Sequence, residues 1–309
     1  MPKEDLPSSP AARAFFAALD TSTTSSSSSS PSTAGSTSFV QKRIQTLGWR
    51  NRHSQDDFYP VTIANTEFSV RQVQRGEVEG TYGTGATVWP AAVVLMKYLE
   101  KHADALVRGK RCIDLGSGTG VTSVAAALLG ARQVVCTDGE PNVVQLAAYN
   151  LQHVLEQLND ANANTNNSDN AGKINDDTNR VSVDVKAKTI QNCPIHVQKY
   201  WWGAGSIQGG NHADLLLVAD CVLPKLYPMG PLVNALAELL THDPHAVAIL
   251  SYEYRYYPDF DPATEFRRLC QAKGLVVTSI PLSEQDDVYS VDDIEIWHVR
   301  RQQQPQPQS

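Results

Sequence analysis

The stretch from Lys110 to Gly120 constrains the fold more than any other part of the chain; its sequence is Lys-Arg-Cys-Ile-Asp-Leu-Gly-Ser-Gly-Thr-Gly. A short apolar run typical of a β-strand ends there in a glycine-rich turn, and small residues at 121–129 favour a helix after it. Glycines bend sharply and let a ligand approach the backbone without meeting a Cβ atom. The helix that follows begins with free N–H groups, which attract a polar ligand. The stretch therefore predicts a ligand-binding strand, turn and helix of an α/β fold.

A second predicted strand, residues 133–138, ends in Asp138 about twenty residues further on, where nucleotide-binding α/β folds hold ribose hydroxyls. The dinucleotide fingerprint needs a glycine three residues after its second glycine, but Val121 stands there, so the spacing is G-x-G-x-G. Together with Asp114, the stretch resembles motif I of class I methyltransferases that use S-adenosylmethionine. The alternative is a glycine loop that binds no ligand and only connects a strand to a helix.

Composition limits the classes of partner. The chain has 309 residues, 41% of them hydrophobic, and a net charge of −7, which is typical of a soluble globular protein. We expect no nucleic acid as the main partner, because phosphate contacts require clustered Lys and Arg. We expect no membrane span, because no apolar run is long enough. The five cysteines include no C-x-x-C pair, which favours reduced thiols in the cytoplasm, with the nucleus as a second compartment, over a metal site.

Four segments differ in composition. Residues 1–38 form a Ser- and Thr-rich leader that cannot bury enough apolar area to fold. Residues 39–300 form the predicted methyltransferase domain, interrupted at about 159–180 by an Asn-rich surface insertion. Residues 301–309 form a polar tail.

The domain is predicted to be α/β, with strands and helices alternating along the chain. A β-hairpin at 58–80, with its turn at 64–66, precedes a Rossmann-like sheet of seven strands that has helices on both faces. One of these helices is expected to run from Pro141 to about Leu158. Ligands in such sheets bind at the carboxyl ends of the strands. The candidates at such ends are Gly116 to Gly120, Asp138, Trp202, Asp220 and Glu253.

Four stretches together resemble the methyltransferase family 16 group of seven-β-strand protein-lysine methyltransferases. They are residues 88–92 with 97–100, 114–120, 218–222 and 252–255. The tail at 289–296, a Tyr followed by an acidic pair and Ile-Glu-Ile, is similar to that of members acting on an AAA ATPase chaperone. The resemblance covers about residues 55–300, apart from the Asn-rich insertion.

The resemblance implies S-adenosylmethionine as the cofactor and a protein substrate, of the chaperone or AAA ATPase type. The glycine turn would approach the methionine part of the cofactor, Asp138 the ribose diol, and Trp202 and Ala219 the adenine, with Trp201 as the alternative to Trp202. The implied cofactor residues are Trp89, Gly116, Ser117, Gly118, Asp138, Trp202 and Ala219.

The chain departs from this family at two places. The family has Asp-x-x-Tyr after the fourth strand, whereas this chain has Asp220-Cys-Val-Leu223, and Tyr227 is the nearest substitute for the missing aromatic ring. Pro90 replaces the Asp that usually follows the Trp. The first departure predicts that the substrate or the number of methyl groups added differs here.

Methyl transfer from a sulfonium to an amine needs neither an enzyme nucleophile nor a metal, only a neutral amine held in line with the methyl group. Asp220 and Glu253 are the predicted catalytic residues, because they could accept hydrogen bonds from the target ammonium. For Glu253 an ion pair with Arg255 is an equal alternative, and Tyr252 or Tyr254 could wall the channel.

The predicted function is protein-lysine N-methylation. Two other hypotheses stay open. One is methylation of a small molecule or a nucleic acid, although the Asn/Asp-Pro-Pro-Tyr signature of the latter is absent. The other is a catalytically silent scaffold that keeps the fold.

Overall fold

A computed structural model describes residues 48–73, 83–166, 188–241 and 243–302 of the chain. The predicted leader, the later part of the Asn-rich insertion and most of the polar tail lie outside these residues. Within the ranges given, no helix has both the length and the apolar character needed to span a bilayer.

A central sheet of eight strands carries the site, in the order β5-β6-β4-β3-β7-β8-β10-β9. Its strands are β3 Arg111–Leu115, β4 Gln133–Asp138, β5 Lys188–Ile190, β6 Cys193–Lys199, β7 Leu215–Ala219, β8 Val247–Glu253, β9 Leu275–Ile280 and β10 Ile294–Arg301. Strands β6, β4, β3, β7 and β8 are parallel, while β10 runs antiparallel between β8 and β9. The order reverses at β3, so a crevice opens at the carboxyl ends of β3, β4 and β7.

The sheet has one strand more than the seven predicted. The additional strand, β5, is antiparallel to β6 and joined to it by Gln191 and Asn192, both with positive φ. Because β5 is only three residues long, it is too short to show a period in the sequence.

Helices cover both faces of the sheet, as predicted. They are α1 Pro90–Lys101, α2 Ala103–Leu106, α3 Val121–Leu128, α4 Pro141–Asn166, α5 Met229–Leu239 and α6 Pro262–Ala272. Buried residues of α1, α3 and α4 form the apolar layer on one face, and those of α5 and α6 form the layer on the other. The prediction that α4 ends near Leu158 is wrong, because its helical backbone continues to Asn166, into the predicted insertion. Each residue added to a formed helix costs little, since it gains a backbone hydrogen bond.

The predicted hairpin precedes the sheet as β1 Phe58–Ile63 and β2 Thr66–Arg71. Its turn has two residues, Ala64 and Asn65, with φ of 49° and 60°, and Thr66 already pairs with Ile63. Positive φ at both positions matches the twist of the strands. The hairpin is fixed to α4, because the Asn150 side chain both donates to and accepts from the backbone of Arg71.

Candidate functional site

A cavity of about 350 Å³ lies at the carboxyl ends of β3, β4, β6 and β7. Residues just after these four strands form its floor, and the loop before α1, residues 83–88, covers one side. The predicted cofactor residues Trp89, Gly116, Ser117, Gly118, Asp138, Trp202 and Ala219 all line it, and so does Asp220. Residues from distant parts of the sequence therefore meet at the reversal point of the sheet.

The glycine turn after β3 has no room for a side chain at Gly116 or Gly118. Gly116 and Gly118 have φ of 71° and 56°, which L side chains rarely adopt. A Cβ on Gly116 would lie 2.8 Å from the Cys221 Sγ and 3.3 Å from the Trp202 ring. A Cβ on Gly118 would lie 3.1 Å from the carbonyl oxygen of Gly85. Glycine at these two positions therefore lets the turn pack closely against its neighbours, and both residues line the cavity.

Asp138 is held at the end of β4 by backbone donors. Its Oδ2 accepts from the N–H of Gly118 at 3.1 Å and its Oδ1 from the N–H of Glu140 at 3.0 Å. Burial raises the pKa of this carboxyl, while the backbone N–H groups oppose the rise. A carboxylate has about four acceptor sites, so the two bonds leave capacity for the hydroxyl groups of a ribose.

The two tryptophans after β6 take different positions. Trp202 is half-buried beside the glycine turn, and its ring meets the Tyr227 ring edge-on at 5.8 Å between centroids. Trp201 is 58% exposed and lies over the backbone of Gly139 at the cavity rim. Trp202 thus provides the more enclosed flat surface for a base.

Trp89 is placed by its own loop at the start of α1. Its indole Nε1 donates to the carbonyl oxygen of Thr84 at 2.7 Å. The Thr84 hydroxyl in turn is hydrogen-bonded to the phenol of Tyr227. These contacts tie the loop before α1 to the segment after β7, across the cavity.

Asp220 follows β7 with a φ of 54° and a side chain that is only 3% exposed. Both of its oxygens accept from the Arg255 guanidinium, Oδ1 at 2.8 Å and Oδ2 at 2.5 Å. Burial raises the pKa of Asp220, and Arg255 opposes the rise. The carboxylate is therefore at the cavity wall, as expected, but already has a cationic partner.

Glu253 lies at the end of β8, behind Asp220, and is not among the residues that line the cavity. It forms ion pairs with Arg50 and with Arg255, the latter at 3.4 Å, so the ion-pair alternative for Glu253 is observed. Arg50 also pairs with Asp293 at 2.7 Å. We call the five residues Asp220, Glu253, Asp293, Arg50 and Arg255 the edge cluster. Its three carboxylates and two guanidinium groups have a formal charge of −1.

Tyr227 lines the cavity together with Trp89, Tyr200, Trp201 and Trp202. Tyr252 is buried in the core, stacked on Trp297 at 4.7 Å, and Tyr254 is 56% exposed outside the cavity. Neither lines the cavity, so the prediction that one of them walls the channel is wrong. Strand alternation explains this, because Tyr252 points into the apolar layer that covers one face of the sheet.

Asp114 supports the glycine turn from beneath. Its Oδ2 accepts from the hydroxyls of Thr122 and Ser123 at the start of α3, at 2.5 and 2.8 Å. Its Oδ1 has no hydrogen-bond partner among the described residues, and burial raises the pKa of this carboxyl to about 6. Asp114 therefore joins the glycine turn to the first turn of α3.

The electrostatics of the cavity favour a cation. In the ranges that the structure describes, every charged side chain that lines it is a carboxylate: Asp138, Glu140 and Asp220. A phosphate would find no Lys or Arg partner among these lining residues. The cavity thus suits a ligand with a ribose, a base and a positive charge.

Comparison with known proteins agrees with this chemistry. Residues 71–180 match a family model described as lysine methyltransferase. Over 190 residues the chain is 35% identical to protein N-lysine methyltransferase METTL21A of Danio rerio, covering 60% of this chain and 68% of that one.

A second relative covers more of the chain at lower identity. Protein N-terminal and lysine N-methyltransferase efm7 of Emericella nidulans is 27% identical over 244 residues, which is 73% of this chain and 81% of that one. Among solved structures, a SAM-dependent methyltransferase from Agrobacterium tumefaciens covers 80% of this chain and is itself 71% covered, with 13% identity and a TM-score of 0.43. With the family match, the METTL21A likeness and the cavity, the chain belongs to the lysine methyltransferase family of S-adenosylmethionine-dependent enzymes.

Proposed function

We propose that this protein methylates lysine side chains of a protein substrate of the chaperone or AAA ATPase type, with S-adenosylmethionine as the methyl donor. The observation that carries the proposal is the bare glycine turn beside Asp138, in a cavity whose described charges are all carboxylates.

The residues at the cavity fit the cofactor. Gly116 and Gly118 line the cavity where the methionine part would lie, Asp138 has acceptor capacity for the ribose, and Trp202 with Ala219 would flank the adenine. When bound, the cofactor supplies a methyl group on a sulfonium; the amine lone pair forms the new C–N bond and the electrons of the broken C–S bond return to sulfur.

Asp220 is the proposed group that orients the incoming amine. It accepts two bonds from Arg255 and a longer one from the N–H of Glu253 at 3.4 Å. About one acceptor site of the carboxylate is left, which is enough to orient the target ammonium. The ammonium loses a proton to solvent before its nitrogen lone pair attacks the methyl group. Arg255 opposes the rise in the pKa of Asp220 that burial causes, and Glu253 pairs with Arg255. In this proposal Glu253 acts through Arg255 and does not touch the amine.

The proposed substrate class rests on the resemblance of the tail, residues 289–296, to that of enzymes acting on an AAA ATPase chaperone. Tyr289 packs on Trp49 with ring centroids 5.3 Å apart, and the Lys97 Nζ lies 5.2 Å from the Tyr289 ring. Asp293, at the end of the same segment, belongs to the edge cluster. The tail therefore lies at the carboxyl edge of the sheet, where a protein substrate would approach Asp220.

Isothermal titration calorimetry with S-adenosylmethionine tests the proposal first. Wild-type protein should bind the cofactor saturably, and Asp138→Ala should lose that binding. Asp104→Ala is the matched control, since Asp104 has a side chain that is 87% exposed on α2. Absence of binding by folded wild-type protein would contradict the proposal.

A transfer assay then tests the acceptor. Purified AAA ATPases and other chaperones, incubated with tritiated S-adenosylmethionine, should take up label, and mass spectrometry should place the methyl group on a lysine. Label on the terminal amine instead, as the name of the efm7 relative would suggest, would replace lysine as the acceptor. Label on none of these proteins would reject the substrate class.

A further inference from the structure

Tyr227 is fixed rigidly at the cavity by contacts at both ends of the residue. Its backbone N–H donates to the carbonyl oxygen of Leu223 at 2.8 Å, and its phenol is hydrogen-bonded to the hydroxyl of Thr84. The edge-on contact with Trp202 restricts the ring from a third side. The ring is therefore preorganised and needs little reordering when a ligand enters.

The surroundings of Tyr227 are negatively charged. Burial, together with the carboxylates of Asp138 and Asp220, raises the pKa of its phenol to about 12, so the side chain stays neutral at physiological pH. Both carboxylates line the same cavity as the ring. Within the described ranges no Lys or Arg lines that cavity, so the only charged side chains that a positive charge meets there are carboxylates.

We propose that Tyr227 is a specificity-determining residue that contacts the positively charged sulfur of the donor and favours the donor over its neutral thioether product. This inference rests on the proposed function of the same cavity. The family has an aromatic residue at the position of Leu223. Leu223 has no ring to contact a cation, so the inference assigns that contact to Tyr227.

The physical basis is the loss of charge at sulfur when the methyl group leaves. A cation within about 6 Å of an aromatic ring is attracted to the negative face of the ring, and more strongly in a desolvated site. A neutral thioether keeps only dispersion contacts with the ring. The ring should therefore hold the donor more tightly than the product and so help the product to leave.

The test compares the dissociation constants of S-adenosylmethionine and S-adenosylhomocysteine, measured by calorimetry on the full chain. Tyr227→Leu should weaken binding of the charged donor about three- to tenfold more than binding of the neutral product. Tyr227→Phe keeps the ring and loses only the bond to Thr84, so its donor-to-product ratio should stay within about twofold of wild type. Tyr256→Leu, the same change at a side chain that is 76% exposed, should leave both constants unchanged.

Thermal melting of each variant shows whether it is folded. If Tyr227→Leu is not, Tyr227→Met provides a second side chain without a ring, flexible enough to fill the gap. Two results would overturn the inference while leaving the proposed function intact. One is equal weakening of donor and product binding in Tyr227→Leu or Tyr227→Met. The other is a change of the donor-to-product ratio in Tyr227→Phe as large as in the variant without the ring. Failure of wild-type protein to bind either ligand would overturn both.

Discussion

Asp220 and Arg255 form an ion pair with two hydrogen bonds, of 2.8 and 2.5 Å, at the point where β7 reaches the cavity. The pair is largely removed from solvent, with side-chain exposures of 3% for Asp220 and 17% for Arg255. A guanidinium presents parallel donors that match a carboxylate, which fixes the orientation of both groups. Arg255 therefore sets both the direction and the charge of the carboxylate that we propose to orient the amine.

Removal of Arg255 should destabilise the fold and change the titration of Asp220. Arg255→Gln leaves a buried carboxylate without its partner, which we expect to cost about 3 kcal/mol of unfolding free energy. Because Arg255 opposes the rise in the pKa of Asp220, the variant should raise that pKa further, and the acidic limb of the methylation rate should move to higher pH. Urea denaturation and a pH–rate profile measure the two effects.

Two variants serve as controls for Arg255→Gln. Arg255→Lys keeps the charge but loses the second parallel bond, so its effects should be smaller. Asp220→Asn combined with Arg255→Gln removes both charges and should recover part of the stability. A single Arg255→Gln variant as stable as wild type would show that the ion pair is not needed in the fold.

Gly118→Ala should damage cofactor binding more than stability. The change places a Cβ 3.1 Å from the carbonyl oxygen of Gly85 and at a φ of 56°. We expect a loss of about 1 kcal/mol in unfolding free energy and a loss of cofactor affinity of about tenfold or more, because the methyl group narrows the cavity. Calorimetry and urea denaturation separate the two. Gly230→Ala in α5, where a Cβ meets no atom within 4 Å, should leave cofactor affinity unchanged.

Asp114 should make the protein less stable as the pH rises between about 4 and 6. Its pKa in the folded state is about 6, above the ordinary value of 3.8, so the folded state binds a proton more tightly than the unfolded state. The stabilisation that results is fully present below the pKa of Asp114 in the unfolded state and is lost as the pH rises through 6. The free energy of unfolding falls by about 3 kcal/mol across this range.

Asp114→Asn removes this titration. Denaturation at pH 4 and pH 7 should therefore show a smaller loss of stability with rising pH in Asp114→Asn than in wild type. Other buried carboxyls with raised pKa, such as Asp138 and Glu253, contribute the same trend to both proteins and cancel in the comparison. Parallel stability curves for the two proteins would contradict the prediction. Asp104→Asn at the surface should behave as wild type.

Arg50→Gln should weaken the edge cluster without affecting the cofactor. Arg50 bridges Glu253 and Asp293, and its side chain is 19% exposed. We expect a loss of about 1–2 kcal/mol in unfolding free energy, because two partly buried carboxylates lose a charged donor. Cofactor affinity should stay within about twofold of wild type, since Arg50 does not line the cavity. Arg52→Gln, at an exposed position two residues on, is the control.

The sequence alone determined the fold class and the cofactor side of the cavity. Asp114 and Asp138 lie at the carboxyl ends of β3 and β4, and glycines 116 and 118 come just after β3. Parallel strands bring their carboxyl ends to one edge, so local spacing was enough to place these residues together. The helices and strands followed from the period of apolar residues, apart from the three-residue β5 and the extension of α4 to Asn166.

Only the tertiary structure decided the ion pairs of the edge cluster and the contact of Tyr227 with Thr84 at the cavity. Arg50 lies 243 residues from Asp293 along the chain, and Thr84 lies 143 residues from Tyr227, so no local pattern links them. Tyr252 was a reasonable candidate by position, but the pleat of β8 turns it into the core, where it stacks on Trp297. Local spacing fixes which backbone atoms reach the edge of the sheet, whereas the pairing of side chains depends on which segments pack against one another there.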